Sequence, residues 1–332
     1  MLVLNRRRFL SACAASALGM TLPLPRLAEA RPSERGEGVI RFAHVTDLHF
    51  TRRVQPRYPE SHRQVGRAVF ELNAQDLDFV LFTGDMFHFP EDLSEEAEAL
   101  RDLLRCLRHP YYCLFGNHDV EGNGLRERKR FLIRQLGDGG LAQGEGWYTF
   151  SPTAGIRFVA IDTTDTDGDA YSGWAGFLGP RQKTWLQATI QRHRDEALIL
   201  AMHHPPLMPY PFLDRLRFNA ADSVWLSHLV ATHPQIQLVL AGHYHFAACD
   251  ALRHAAVLIG PSLVEYPHAY RVFELGSPGP DGRAWLQYQW HRLARTEAFT
   301  PDLATSRAAL RGLGLQGLSY GHSGGRWLKI PG

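Results

Sequence analysis

Five apolar runs of strand-forming residues recur along the chain, and each ends abruptly in acidic, amide or histidine residues. Continuous apolar runs bounded by turn residues are typical of strands buried on both faces of a sheet. The runs and the residues that follow them are 40–46 before Asp47 and His49, 78–83 before Gly84 and Asp85, 111–115 before Gly116 to Asp119, 197–202 before His203 and His204, and 237–241 before Gly242 to His245. Because open α/β sheets bind ligands at the carboxyl ends of their strands, this pattern predicts one metal centre at that end.

The segments that connect the apolar runs show the spacing of apolar residues that is typical of helices. Residues 62–75 have near-helical apolar spacing, and Ser94 is a suitable N-cap for a second helix that Pro110 stops. Alternation of strand and helix over residues 39–116 predicts a parallel or mixed sheet. Residues 147–150 and 156–161 predict paired strands, Pro180 predicts a helix start, and the runs 255–259, 270–275 and 284–290 predict strands of a second sheet.

The first thirty residues predict an export signal outside the fold. Arg6 and Arg7 precede Phe9, a moderately apolar stretch follows, and residues 28–30 form an A-x-A cleavage pattern. The paired arginines resemble the twin-arginine signal, so we expect the twin-arginine export machinery as a partner and a periplasmic or secreted location. The alternative is a lipid anchor at Cys13, since residues 10–13 resemble a lipobox. We expect a signal at 1–30, one domain at 39–295 and an unassigned tail at 296–332.

Composition narrows the choice of partners. The 332 residues are 45% hydrophobic and 21% charged, which is ordinary for a globular protein. A formal net charge of +2 gives no case for a nucleic-acid or membrane surface, and the apolar part of the signal is too short for a stable membrane-spanning anchor. Beyond the signal only three cysteines occur, without metal-type spacing, so we do not expect a disulfide-built protein.

The residue types at the ends of the runs indicate which ions bind. Asp47 and His49, like His243 and His245, are two apart and point to the same side of an extended backbone. Carboxylate, imidazole and amide donors without thiolate suit Mn, Fe or Zn. The donors are too many for one tetrahedral ion, so two ions that share Asp85 fit better. Two metal ions can stabilise both the attacking and the leaving oxygen of an in-line displacement at phosphorus. Taken singly, each motif is also compatible with a surface pair, a plain turn or a kinked loop.

Together these motifs resemble those of the calcineurin-like metallophosphoesterase superfamily. Every motif occurs in order, and the resemblance covers about residues 39–275. It implies an α/β fold of two mixed β-sheets packed as a sandwich and flanked by helices, with two metals at the sheet ends. The His-His-Pro-Pro form at residues 203–206 resembles the branch that contains cyclic-nucleotide and glycerophosphodiester phosphodiesterases.

The resemblance also implies a role for each site residue. One metal would be bound by Asp47, His49, Asp85 and His245, and the other by Asp85, Asn117, His203 and His243. His118 would contact the phosphoryl group and protonate the leaving oxygen, Asp119 would orient its ring, and a hydroxide bridging the metals would be the nucleophile. His203 is preferred to His204, which stays an alternative. Substrate selection is expected from loops at 51–60, 121–146 and 206–219.

The sequence therefore predicts an exported dinuclear-metal phosphohydrolase of small-molecule phosphoesters, with phosphodiesters preferred. A phosphomonoesterase on the same fold is the near alternative. A metal-free interaction domain is a third possibility, although it would be expected to have lost ligands that this chain retains.

Overall fold

The computed structural model describes residues 38–53, 58, 60–88, 93–143, 145–207, 218–265, 267–276, 284–293 and 328–329. The predicted export signal at 1–30 lies outside these residues, as does nearly all of the tail from 296. Within the described part, no helix is both long and apolar enough to span a membrane.

Strands and helices alternate through most of the described chain. The strands are β1 (Val39–Val45), β2 (Phe79–Thr83), β3 (Tyr111–Leu114), β4 (Gly122–Asn123), β5 (Tyr148–Thr153), β6 (Ile156–Ala160), β7 (Ala170–Tyr171), β8 (Ala197–Ala201), β9 (Ile236–Ala241), β10 (Ala248–Leu252), β11 (Ala255–Ile259), β12 (Ala269–Gly276), β13 (Trp285–Arg292) and β14 (Leu328–Lys329). The α-helices are α1 (Ser61–Leu72), α2 (Leu93–Leu104), α3 (Asn117–Val120), α4 (Leu125–Leu136), α5 (Pro180–Arg192) and α6 (Ala220–Thr232). Helix α2 already includes Ser94, so the N-cap prediction for that residue is wrong.

Two six-stranded mixed sheets form the centre of the fold. The first has the order β14-β13-β12-β1-β2-β3, and the second has the order β10-β11-β9-β8-β6-β5. Strands β1, β2 and β3 are parallel, as are β6, β8, β9 and β11, whereas β12 is antiparallel to β1 and β5 to β6. The predicted fold class of two mixed sheets with helices is confirmed.

The division of strands between the sheets differs from the sequence prediction in one respect. Strands β12 and β13 extend the first sheet instead of joining the second. The pairing of β12 with β1 places them there, and it runs along six residues, from Val39 opposite Gly276 to His44 opposite Arg271.

Aromatic side chains join the two sheets face to face. Phe42 of β1 and Phe79 of β2 both meet Phe158 of β6 edge-on, with ring centroids 5.2 and 5.3 Å apart. A second apolar cluster fills the space between the other face of the second sheet and helices α5 and α6, where Leu186 and Leu226 are fully buried. This packing aligns the carboxyl ends of β1, β2 and β3 with those of β8 and β9 at one edge of the sandwich.

Candidate metal centre

The backbone turns sharply where the predicted ligands leave their strands. Among the described residues, seven non-glycine residues have positive φ, and five of them are Asp47 (54°), His49 (37°), Asp85 (50°), His243 (72°) and His245 (60°). Such conformations cost of order 1–3 kcal/mol each and cluster at functional sites. All five are predicted metal ligands, so local strain is concentrated where the sequence places the site.

The first predicted ligand set is assembled in the structure. Donor atoms of Asp47, His49, Asp85 and His245 all lie within 4.8 Å of one another. His245 Nε2 is 3.3 Å from Asp47 Oδ1, His49 Nε2 is 3.6 Å from Asp85 Oδ2, and the two histidine Nε2 atoms are 3.0 Å apart. Two carboxylates and two imidazoles from three strand ends therefore converge on one point.

The second predicted ligand set lies on the other side of Asp85. His203 Nε2 is 3.3 Å from Asp85 Oδ1, 3.2 Å from Asn117 Oδ1 and 3.2 Å from His243 Nδ1. Asp85 thus directs one carboxylate oxygen toward each set. This is the placement expected of a carboxylate that bridges two ions.

The structure separates the roles of the adjacent histidines 203 and 204. His204 also lies close to His203 and His243, but both of its ring nitrogens are engaged elsewhere, Nδ1 with Thr163 Oγ1 at 2.7 Å and Nε2 with Tyr171 Oη at 3.2 Å. His203 donates from Nδ1 to the Thr83 carbonyl, at 2.8 Å, and presents Nε2 to the cluster. The geometry favours His203 over His204 as the ligand.

Glu265 contacts the predicted ligand His245 and was not itself predicted from the sequence. Its Oε2 atom lies 2.9 Å from His245 Nδ1, on the side of the ring away from the cluster. A carboxylate there fixes the orientation of the ring and makes it a better metal ligand. Glu265 lies in the loop after the buried strand β11, beyond residues 260–264, so the rule that located the other site residues, polar groups directly after an apolar run, did not locate it.

Electrostatics at the cluster favour a cation. Asp47 and Asp85 are almost completely buried, and no lysine or arginine among the described residues pairs with either. Burial acts to lower the pKa of His203, but the Asp85 carboxylate outweighs it and raises that pKa to about 9. Burial opposes a charge on His245 as well, yet Glu265 and Asp47 raise its pKa to about 10. Buried carboxylates need a compensating cation, and the oxygen and nitrogen donors fit two metal ions.

His118 and Asp119 lie beside the cluster on the short helix α3. The His118 backbone N–H donates to Asp85 Oδ1 at 2.9 Å, and its ring centroid is 4.7 Å from that of His49. Asp119 accepts backbone N–H bonds from Gly116 (2.8 Å) and Phe87 (2.9 Å), one on each oxygen. These bonds show that Asp119 holds the turn that carries His118, while its contact with the His118 ring stays a prediction.

Oxygen and imidazole donors gathered in two sets around one carboxylate fit a centre of two metal ions, an arrangement suited to in-line displacement at phosphorus. The family model described as calcineurin-like phosphoesterase matches residues 40–247, a range that contains every predicted site residue, and the chain belongs to that family. It is therefore a metal-dependent phosphoester hydrolase.

Curated relatives cover most of the chain. It is 27% identical over 272 residues to the glycerophosphodiester phosphodiesterase GpdQ of Enterobacter lignolyticus, covering 76% of this chain and 91% of that protein. It is 28% identical over 212 residues to a probable cyclic nucleotide phosphodiesterase of Rhodopseudomonas palustris, covering 62% and 72% respectively. A solved dimetal phosphatase from Danio rerio has the same fold, with a TM-score of 0.58, 15% identity and coverage of 78% of this chain and 98% of that one.

Proposed function

We propose that the protein is a phosphodiesterase acting on small soluble diesters. The observation that carries this proposal is the placement of His118, whose backbone donates to the shared carboxylate of Asp85 and whose ring lies against the ligand His49. That position suits a group that protonates the leaving oxygen. The relatives named for glycerophosphodiester and cyclic-nucleotide hydrolysis support the same chemistry.

The residues divide into two ligand groups and one proton donor. Asp47, His49, Asp85 and His245 would bind one ion, and Asp85 with Asn117, His203 and His243 would bind the other. When bound, two such ions polarise the phosphoryl oxygens and lower the pKa of water so that it can attack phosphorus in line. Outside these sets, the His118 ring would donate a proton to the departing alkoxide, while Asp119 would keep the α3 turn in place.

The role of His118 can be tested by the quality of the leaving group. An alkoxide needs a proton as it departs, whereas a nitrophenolate leaves with little help. General acid catalysis typically contributes ~10²–10⁴-fold, so His118→Ala should keep its metals, lose about that factor on an alkyl or cyclic diester, and lose much less on bis(4-nitrophenyl) phosphate. Equal losses on both substrates would show that His118 binds the phosphoryl group without supplying a proton.

The preference for diesters is tested with the unmodified enzyme. A panel of glycerophosphodiesters, cyclic nucleotides, linear aryl diesters and phosphomonoesters should give the highest kcat/KM for a diester, with metal content measured on the same preparation. Much faster cleavage of monoesters than of any diester would reject the phosphodiesterase assignment in favour of a phosphomonoesterase.

Export by the twin-arginine route belongs to the same proposal and rests on the arginine pair and the A-x-A pattern. The protein would then act in the periplasm or outside the cell, after cleavage behind Ala30. Replacing Arg6 and Arg7 together by lysine should block export. Undiminished export of that variant would show that another route is used.

A further inference from the structure

A cleft is lined by helix α4, which the structure forms within the segment 121–146 where the sequence predicted a substrate-selecting loop. It has a volume of about 640 Å³ and lies between helix α4, the loop at residues 165–168 and the start of helix α5. Its described lining contains none of the predicted metal ligands and neither His118 nor Asp119. A volume of this size is typical of sites for small molecules.

One wall of the cleft is a row of arginines on helix α4. Arg126, Arg130 and Arg134 are spaced four residues apart, so they lie on one helix face at intervals of about 6 Å. All three are exposed, and their guanidinium groups make no ion pair or hydrogen bond within the part of the chain that the structure describes. Like charges at this spacing destabilise a helix, and an anion bound across the row would offset that cost.

The remaining walls supply apolar surface and one more cation. Leu125, Ile133 and Trp147 line the cleft, and Arg181 of α5 stands at its rim, 2.9 Å from Glu145 in a solvent-exposed pair. A neighbouring cavity of about 440 Å³ shares Trp147, Arg181 and Glu145, so the concave surface continues past the indole.

Three carboxylates line the cleft, those of Glu145, Asp165 and Asp167, and none forms an ion pair with an arginine of the α4 row within the described residues. Asp165 Oδ2 accepts the Gly179 backbone N–H and the Gln182 side-chain amide, each at 3.1 Å. Lys129, which also lines the cleft, is bound to Asp162 at 2.6 Å and to the Thr164 carbonyl. The positive charge that stays available is therefore that of the α4 row.

We propose that this arginine cleft, defined by Arg126, Arg130, Arg134, Trp147 and Arg181, binds a soluble organic polyanion that carries at least two phosphate or sulfate groups on a compact body. Guanidinium groups bind such groups in bidentate fashion, and neighbouring arginines about 6 Å apart can hold two of them at once. Trp147, Leu125 and Ile133 would contact the body of the ligand. The recessed shape favours a small molecule over the flat surface of a membrane.

The probe for a direct test is inositol hexasulfate, which contains no phosphoester and so cannot be a substrate of the proposed reaction. Calorimetric titration into the metal-loaded enzyme at low ionic strength should show saturable binding that weakens as salt is added. Arg130→Glu combined with Arg134→Glu should weaken binding about tenfold or more. The milder pair Arg130→Gln with Arg134→Gln should lower affinity in the same direction, in case charge reversal disturbs the helix.

Two control variants distinguish binding in the cleft from a general effect of net charge and from binding at the metal centre. Arg63→Glu with Arg194→Glu makes the same change in net charge at exposed positions outside the cleft, and it should leave binding nearly unchanged. Asp85→Asn should also keep binding, because the probe would not occupy the metal centre.

Four results would overturn the proposal. They are no saturable binding to the wild type, equal loss in the control pair, loss of binding in the Asp85 variant, or binding only to vesicles of anionic lipid and not to the soluble probe.

Discussion

Gly116 offers a sharp test of how tightly the centre is packed, because an added methyl group would collide with the shared carboxylate. A Cβ at this position would lie 2.2 Å from Asp85 Oδ1 and 2.3 Å from the Asp85 backbone nitrogen, about 1.2 Å short of an ordinary contact of 3.4 Å. Gly116 has φ −110° and ψ 176°, which any residue adopts, so backbone strain does not contribute. Asp85 cannot move freely, since it accepts the His118 N–H and lies beside His203.

Gly116→Ala should therefore displace the bridging carboxylate by about 1 Å. Misplacement of that size can cost on the order of 10²-fold in rate, and overpacking typically costs ~1–3 kcal/mol of folding stability. The assay is kcat/KM on bis(4-nitrophenyl) phosphate together with metal content and thermal melting. Gly66→Ala is the matched control, because its Cβ would meet only Leu103 at 4.0 Å, and it should keep full activity. A fully active Gly116→Ala enzyme with its normal metal content would refute the tight packing described here.

Two further predictions address groups around the predicted ligands, and a third addresses Asp165 of the arginine cleft. Glu265→Gln should weaken metal binding at the His245 site about 10–100-fold, measured by metal titration, and unchanged affinity would mean that Glu265 does not support that ligand. His204→Gln should retain two ions per chain by elemental analysis whereas His203→Gln should not, and the reverse result would exchange their roles. Burial and the Asp162 charge raise the pKa of Asp165 to about 6. Between about pH 4 and 6 the folded state therefore keeps a proton that the unfolded state releases. The free energy of unfolding falls as pH rises through that window. Asp165→Asn should remove that cost, which we place at about 1 kcal/mol for a partly exposed group, and should raise Tm more at pH 8 than at pH 4. An increase in Tm that does not depend on pH would contradict this assignment.

Most of the metal centre could be predicted from the sequence because its signal is local. An apolar run followed by a polar motif specifies a strand end and its side chains, and in this way Asp47, Asp85, His203 and His243 were located and are brought together in the structure. The choice of His203 over His204 stays a prediction that agrees with the contacts of His204 with Thr163 and Tyr171, which could not be foreseen.

Strand pairing could not be predicted in the same way. Strands β12 and β13 follow the second-sheet strand β11 along the chain, yet β12 pairs antiparallel with β1 in the first sheet. Strand periodicity reports which residues are buried, but not which neighbour supplies the hydrogen bonds. Glu265 was missed for a related reason, since its position against His245 follows only from the packing of the loop after β11 onto the other ligand strands.

Titration of metal into metal-depleted enzyme, with activity on a phosphodiester and bound metal measured on the same samples, tests the two-metal centre most directly. Two ligand sets that share Asp85 predict that full activity requires two ions per chain, and that Asp85→Asn lowers both occupancy and activity by orders of magnitude. Full activity with one ion per chain, or with none, would contradict the two-metal centre.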